Sequence, residues 1–187
     1  MTRRMIARLA VTGAVAFATA LGGVAIAAAP AAAAPAPRCQ GDDLSARFVG
    51  PHDGTAGAEY TDVRITNRGD DDCTLRGIPT GRFIKNGNVI GGPSQFDGWE
   101  DRNGDVKLNR ITLDGDGGRA YIRVGIEDAS NFDDCRPTQP SALRLKLPLV
   151  ADRVRVSFGN YDVQVCRDRD ADQLTLSQIL KGRTTNA

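Results

Sequence analysis

One histidine, His52, is all the chain has in 187 residues. A serine or cysteine nucleophile would need that side chain as its base. No Gly-x-Ser-x-Gly elbow exists to present a serine. His52 lies in Pro51-His52-Asp53-Gly54, which has turn composition, and reads as a solvated loop residue between two strands. Zinc ligation is equally poorly served, for no Cys-x-x-Cys occurs and the four cysteines stand 34, 62 and 31 residues apart with no companion histidine cluster. Aromatic residues make up only 5% of the chain, with one Trp. Beyond the N-terminal segment there is no amphipathic run of a dozen residues, and 21 Gly and 9 Pro punctuate the sequence, so a helical fold is excluded. Only carboxylates are plentiful. Twenty Asp and three Glu offer many pairs, and a glycosidase needs just two at the right separation. Surface Asp is the more economical explanation, so the expectation is a protein that is not an enzyme and has no cofactor and no bound metal.

What is present begins with Arg3, Arg4 and Arg8, followed by an uncharged, Ala-rich run from Leu9 to Ala29. A positive start, an apolar stretch and Ala-x-Ala exits between about residues 27 and 34 are the parts of an export signal. A retained anchor is the rival, since 21 uncharged residues could span a bilayer, but small exit residues and the absence of a stop-transfer cluster favour cleavage. Residues 1–34 are therefore expected to be removed, 35–37 to be an Ala/Pro tether, and 38–187 to form one domain. Arg38 does not suit the small-residue approach to a lipidated cysteine, so Cys39 reads as a disulfide partner. Without its leader the chain keeps 21 basic against 23 acidic side chains, which removes the electrostatic case for nucleic-acid binding. A secreted monomer with no membrane span is the expectation, free in the medium or associated with the envelope.

The body reads as strands. Ala120, Ile122, Val124 and Ile126 alternate with Arg119, Tyr121, Arg123 and Gly125, a period of two. The same pattern returns at Leu143, Leu145 and Leu147, at Val154, Val156 and Phe158, and at Tyr161, Val163 and Val165. Gly159-Asn160 and Asn86-Gly87 each suit the two-residue turn of a hairpin, which needs positive φ. Further strands are expected at Leu44 to Val49 and Tyr60 to Asn67, a less regular one at Val106 to Leu113, and a short helix or edge strand at Leu174 to Leu180. About eight short strands with one apolar face each must bury those faces against one another. The fold expected is all-β, an immunoglobulin-like antiparallel β-sandwich.

An ordered set of short motifs carries a resemblance. Cys39 with Leu44 downstream, Ile65-Thr66-Asn67, Cys73-Thr74-Leu75-Arg76-Gly77-Ile78-Pro79, Leu113 before a Gly-rich turn and Ala120, then Cys135 and Cys166 resemble the family called domain of unknown function 4232. These are exported proteins and lipoproteins of high-GC Gram-positive bacteria, and the usage of 20 Arg to 4 Lys suits such a source. Two positions depart from the family's pattern: its Gly-Tyr-Pro is Gly77-Ile78-Pro79, and its Leu-x-Pro-Gly turn is Leu113-Asp114-Gly115-Asp116-Gly117-Gly118. The resemblance implies a fold and a location but no activity. Four cysteines permit three pairings. Similar loop lengths and the family's order favour Cys39 with Cys73 and Cys135 with Cys166.

Asp101-x-Asn103-x-Asp105 has the alternating oxygens of a calcium loop, but Val106 and Thr112 stand where an EF-hand needs Gly and Glu. Asp70-Asp71-Asp72 and Asp114-Gly115-Asp116-Gly117 read as turns. Two surface features remain as candidate ligand sites. One is the long loop Gly92 to Asp105 with Phe96 and Trp99. The other is the outward basic series Arg119, Arg123, Arg144, Lys146, Arg153 and Arg155, which could meet an anionic wall polymer or lipid headgroup if its strands share one sheet. A binding module for an extracellular or cell-wall ligand is the leading expectation. A secreted inhibitor or partner of another protein, and a carbohydrate-active enzyme, are the alternatives.

Overall fold

The computed structural model describes residues 34–55, 57–98 and 106–182. The expected export signal (save Ala34), Trp99 and the Asp101–Asp105 motif lie outside the described residues. Among the described residues the chain forms β1 (Leu44–Thr55), β2 (Ala58–Asn67), β3 (Cys73–Arg76), β4 (Thr80–Lys85), β5 (Asn88–Ile90), β6 (Gln95–Phe96), β7 (Arg110–Leu113) and β8 (Arg119–Glu127). A single 3-10 turn at Ala129–Asn131 follows, then β9 (Pro137–Thr138), β10 (Ala142–Lys146), β11 (Arg153–Ser157), β12 (Val165–Cys166) and β13 (Leu174–Leu176). The protein is all-β. All of these elements belong to the unit that begins at Pro35.

Two larger sheets, in the orders β1-β2-β8-β13-β6 and β11-β10-β4-β5, accompany the two-stranded pairs β3-β7 and β9-β12. Period-two alternation decides which side chains go inside. Val63, Ile65, Ala120, Ile122, Val124, Leu174 and Leu176 of the five-stranded sheet and Phe83, Leu143, Leu145, Val154 and Val156 of the four-stranded sheet join one hydrophobic cluster. Phe48 on β1 stacks on Phe158 beyond β11 with ring centroids 4.8 Å apart. Gly81 marks the closest approach of β4 to β13, for a Cβ there would come within 3.0 Å of Leu176 and 3.1 Å of Leu174. Burying each Leu or Ile of this cluster contributes about 1.5–3 kcal/mol relative to exposure. Among the described residues the cluster runs from Cys39 to Ile179, all of it inside the unit that begins at Pro35.

Both disulfides join the expected partners: Cys39 to Cys73 and Cys135 to Cys166. The Asn86-Gly87 hairpin is also present, with φ values of 51° and 81° and Lys85 opposite Asn88. The acidic stretches are turns. Buried Asn67 ties them together by donating to the Asp71 and Asp114 carbonyls at 2.9 and 3.2 Å, while the Gly115 N–H donates to Asp72. Such bonds satisfy a polar side chain that burial would otherwise penalise.

Several expectations need correction. No hairpin forms at Gly159-Asn160. The Tyr161 N–H donates to the Phe158 carbonyl and the chain then leaves β11, because Val165–Cys166 pairs instead with Pro137–Thr138 beside the Cys135–Cys166 bond. Val163 and Val165 are still buried, so their alternation reflects burial rather than pairing. His52 lies in no loop between strands: β1 runs through it to Thr55, with a register shift between Val49 and Asp53 that accommodates the turn-like composition as a bulge. Within Val106 to Leu113 only Arg110–Leu113 is strand. The closing segment is strand rather than helix, and β13 lies between β8 and β6 rather than at an edge. Its pairing with β6 is parallel, so the five-stranded sheet is mixed rather than wholly antiparallel. No helix among the described residues is long and apolar enough to cross a membrane.

Candidate functional site: a basic groove on the four-stranded sheet

The six cationic positions of the outward series do not share a sheet. Arg119 and Arg123 lie on β8 in the five-stranded sheet, whereas Arg144 and Lys146 lie on β10 and Arg153 and Arg155 on β11 in the four-stranded one. That correction sharpens the picture. On β8, Arg123 stands opposite Asp62 and its guanidinium lies 4.5 Å from the centre of the Tyr60 ring, so its charge is compensated twice.

The four-stranded sheet has the opposite arrangement. Arg144 stands directly across from Arg82 on one side and from Arg155 on the other, and Lys146 stands across from Arg153. Adjacent strands are about 4.8 Å apart, so this face carries two close rows of positive charge. Like charges placed opposite each other destabilise a sheet by roughly 0.2–1 kcal/mol per pair. Among the described residues none of these five cations forms a salt bridge. The Lys146 ammonium instead donates to the carbonyls of Val150 and Ala151 at 2.8 and 2.7 Å, which fixes it at the rim.

Arg82, Arg144, Lys146 and Arg153 border a groove of about 750 Å³. Arg82, Arg144, Lys146, Arg153 and Arg169 line it together with Val89 and the Pro93-Ser94 loop, and among the described residues no carboxylate belongs to the lining. Ser94 is held in place by a pair of bonds with Gly81: its hydroxyl accepts from the Gly81 N–H at 2.8 Å and its N–H donates to the Gly81 carbonyl at 3.2 Å. Arg169 is carried on the loop that Asp168 ties to Arg136 by an ion pair. Planar guanidinium groups offer paired donors to phosphate, sulfate or carboxylate. The arrangement is therefore suited to holding an anion with several charges.

Arg82 and Arg169 were not anticipated from the sequence. Arg82 has a signal, since it alternates outward between Gly81 and Phe83 in a strand already recognised from its hairpin. Arg169 has none, because only the folded loop brings it to β4. Arg155 extends the charged row but is not part of the groove lining. Phe96 is half-buried in β6 opposite Leu176, with the Gly98 backbone against its ring. It belongs to a strand rather than to an open loop. Among the described residues no group of three or more His, Cys, Asp or Glu is placed to hold a metal ion.

A second patch of like charge lies on the five-stranded sheet, where Arg64 stands opposite Arg47. Burial, followed by the nearby Arg47 and Arg119 charges, pushes the Arg64 guanidinium below its ordinary pKa. Its Nε is buried and has no hydrogen-bond partner.

Fold and site together define a class: an all-β module, clipped by two disulfides, that bears a groove lined by five basic side chains on one sheet. The chain belongs to the family Domain of unknown function (DUF4232), whose model matches residues 39–179. That span runs from the first disulfide cysteine to the last core residue of the C-terminal segment. Comparison with the curated proteins and with the solved structures finds no match.

Proposed function

We propose that this is an exported, non-catalytic binding module that takes an anionic ligand of the cell envelope or medium in the basic groove. In this reading the two larger sheets pack as an immunoglobulin-like sandwich, and residues 1–34 are an export signal of an actinobacterial type. The carrying observation is the in-register row Arg82–Arg144–Arg155 above Lys146 and Arg153. A sheet that stacks like charges without carboxylate partners gives up stability at that face, and binding a polyanion restores it. Export is supported by the N-terminal pattern and by two disulfides, which persist in oxidising compartments.

The test is a pull-down of anionic wall polymer by residues 35–187 across a salt series. Capture should weaken as salt rises and should be lost in Arg144→Glu/Arg155→Glu while Trp99→Ala keeps it. Capture that ignores salt and the double variant would sink the groove. Saturable capture of one protein at high salt would move the reading to a protein partner. Glycan hydrolysis abolished by one Asp or Glu substitution, with the melt unchanged, would overturn the non-catalytic reading.

A further inference from the structure

The β10–β11 turn carries a second feature, whose lining shares no residue with that of the groove. The turn is Leu147-Pro148-Leu149-Val150, closed by the Val150 N–H donating to the Leu147 carbonyl at 3.3 Å. Leu149 has φ +65° and is 62% exposed, the one large apolar side chain so exposed among the described residues. A left-handed third position after proline is ordinarily filled by Gly or Asn, and a bulky side chain there is an outlier. The chain thus holds an apolar tip in water by a strained backbone. It also braces the tip from both sides. Lys146 donates to the Val150 and Ala151 carbonyls, and Pro148 packs on Gly77 so closely that a Cβ there would lie 2.8 Å from the ring.

Beside the tip is a depression of about 300 Å³ lined by Arg38, Arg76 and Arg110, with no carboxylate in its lining among the described residues. Arg76 and Arg110 stand directly opposite each other on β3 and β7. Arg38 is fixed by the bridge beside it, where the Thr74 N–H donates to the Pro37 carbonyl at 2.7 Å and the Cys39 N–H to the Thr74 carbonyl at 3.2 Å. The acidic turns adjoin the other end of the same β3–β7 ladder, at Cys73 and Leu113. Charge is therefore separated along the ladder, and the positive end carries the apolar tip.

We infer that the Leu149 turn, with Arg38, Arg76 and Arg110, docks on the anionic face of a lipid bilayer. A single apolar side chain is too small to form the buried centre of a protein–protein interface. It does suit shallow insertion among headgroups, where one apolar anchor is weak alone and becomes useful when basic side chains reach anionic lipid.

Vesicle flotation tests this with residues 35–187. Vesicles of phosphatidylcholine containing phosphatidylglycerol should carry the protein, and vesicles of phosphatidylcholine alone should not. Leu149→Gly suits the left-handed backbone, so its melt should be equal or higher while flotation falls roughly tenfold. Arg76→Glu/Arg110→Glu should abolish flotation, and Arg144→Glu/Arg155→Glu should float like wild type, which separates this surface from the groove. Equal flotation on both vesicle types, no flotation on either, or a Leu149→Gly variant that floats normally would overturn the inference. Loss of flotation in the groove variant alone would do so too.

Discussion

On the outward face of the five-stranded sheet, Arg123 lies over Tyr60 and across from Asp62; on that of the four-stranded sheet, Arg144 lies between Arg82 and Arg155. Both arginines occupy outward positions of strands whose inward residues are fully apolar, and both are half-buried. Alternation put them there. What differs is the neighbour across the ladder, which pairing register sets and a single strand's sequence does not. The contrast is one of degree, since Arg64 on the five-stranded sheet also faces Arg47. Yet only the four-stranded sheet combines three in-register like pairs with a groove. Outward charge is therefore weak evidence of a site, and outward charge stacked in register is much stronger.

The largest expected effects come from the two clips, which differ in what they hold. Cys39–Cys73 joins the entering segment to β3 and neither cysteine lies in or next in sequence to the groove lining, whereas Cys135–Cys166 lies just before Asp168 and Arg169. On a chain-entropy estimate, removing either should lower stability by roughly 3–4 kcal/mol. Only Cys135→Ser/Cys166→Ser should also weaken polyanion binding by residues 35–187, because it frees the loop that carries Arg169. Urea denaturation and binding measured side by side on the two double variants would show it. Equal binding losses would mean the groove depends on overall rigidity rather than on that loop.

Reversing one charge on each face should move stability in opposite directions. Arg123→Glu places a carboxylate opposite buried Asp62 and removes the contact with Tyr60, which should cost about 1–2 kcal/mol. Arg144→Glu places a carboxylate between Arg82 and Arg155, which should add about 0.5–1 kcal/mol while abolishing ligand capture. Urea midpoints at low salt are the readout. If both variants lose stability, the in-register account of the groove is wrong.

The same distinction explains what could be read from the sequence. Leu143, Leu145, Ile122 and Val124 announced their burial by alternation alone, and Asn86-Gly87 announced a hairpin because its backbone demand is local. Both clips were legible from cysteine order and the family resemblance. Gly159-Asn160 misled, since a turn is local but the partner of the following strand is not, and β12 found β9 across the second disulfide. The site was half legible: Arg144, Lys146, Arg153 and Arg155 were recognised as outward cations. Their separation from Arg119 and Arg123, and the arrival of Arg82 and Arg169, depended on which strands pair. Leu149 gives no signal in the sequence, because its exposure comes with a left-handed backbone that its residue type does not advertise.

The smallest effect concerns two acids, Asp168 and Asp128, whose carboxyls are held by hydrogen bonds. The Arg136 guanidinium donates to Asp168 and holds its carboxyl below the ordinary range, and the Ser130 N–H does the same for Asp128. A carboxylate whose folded pKa is depressed stabilises fully above its unfolded pKa, and that contribution disappears as pH falls through the folded value. Stability should therefore decline on acidification between about pH 5 and pH 2, and Asp168→Asn/Asp128→Asn should show a shallower decline with little change at neutral pH. Both groups are well solvated, so the change in slope should be slight. Its second consequence is specific to the groove: protonating Asp168 releases the loop beside Arg169, so polyanion affinity in wild type should fall off at low pH more than in Asp168→Asn, measured relative to each protein's own affinity at neutral pH. An acid limb identical in the two proteins would show that the Arg136–Asp168 pair does not position Arg169, and would leave the in-register cations of β4, β10 and β11 as the whole of the site.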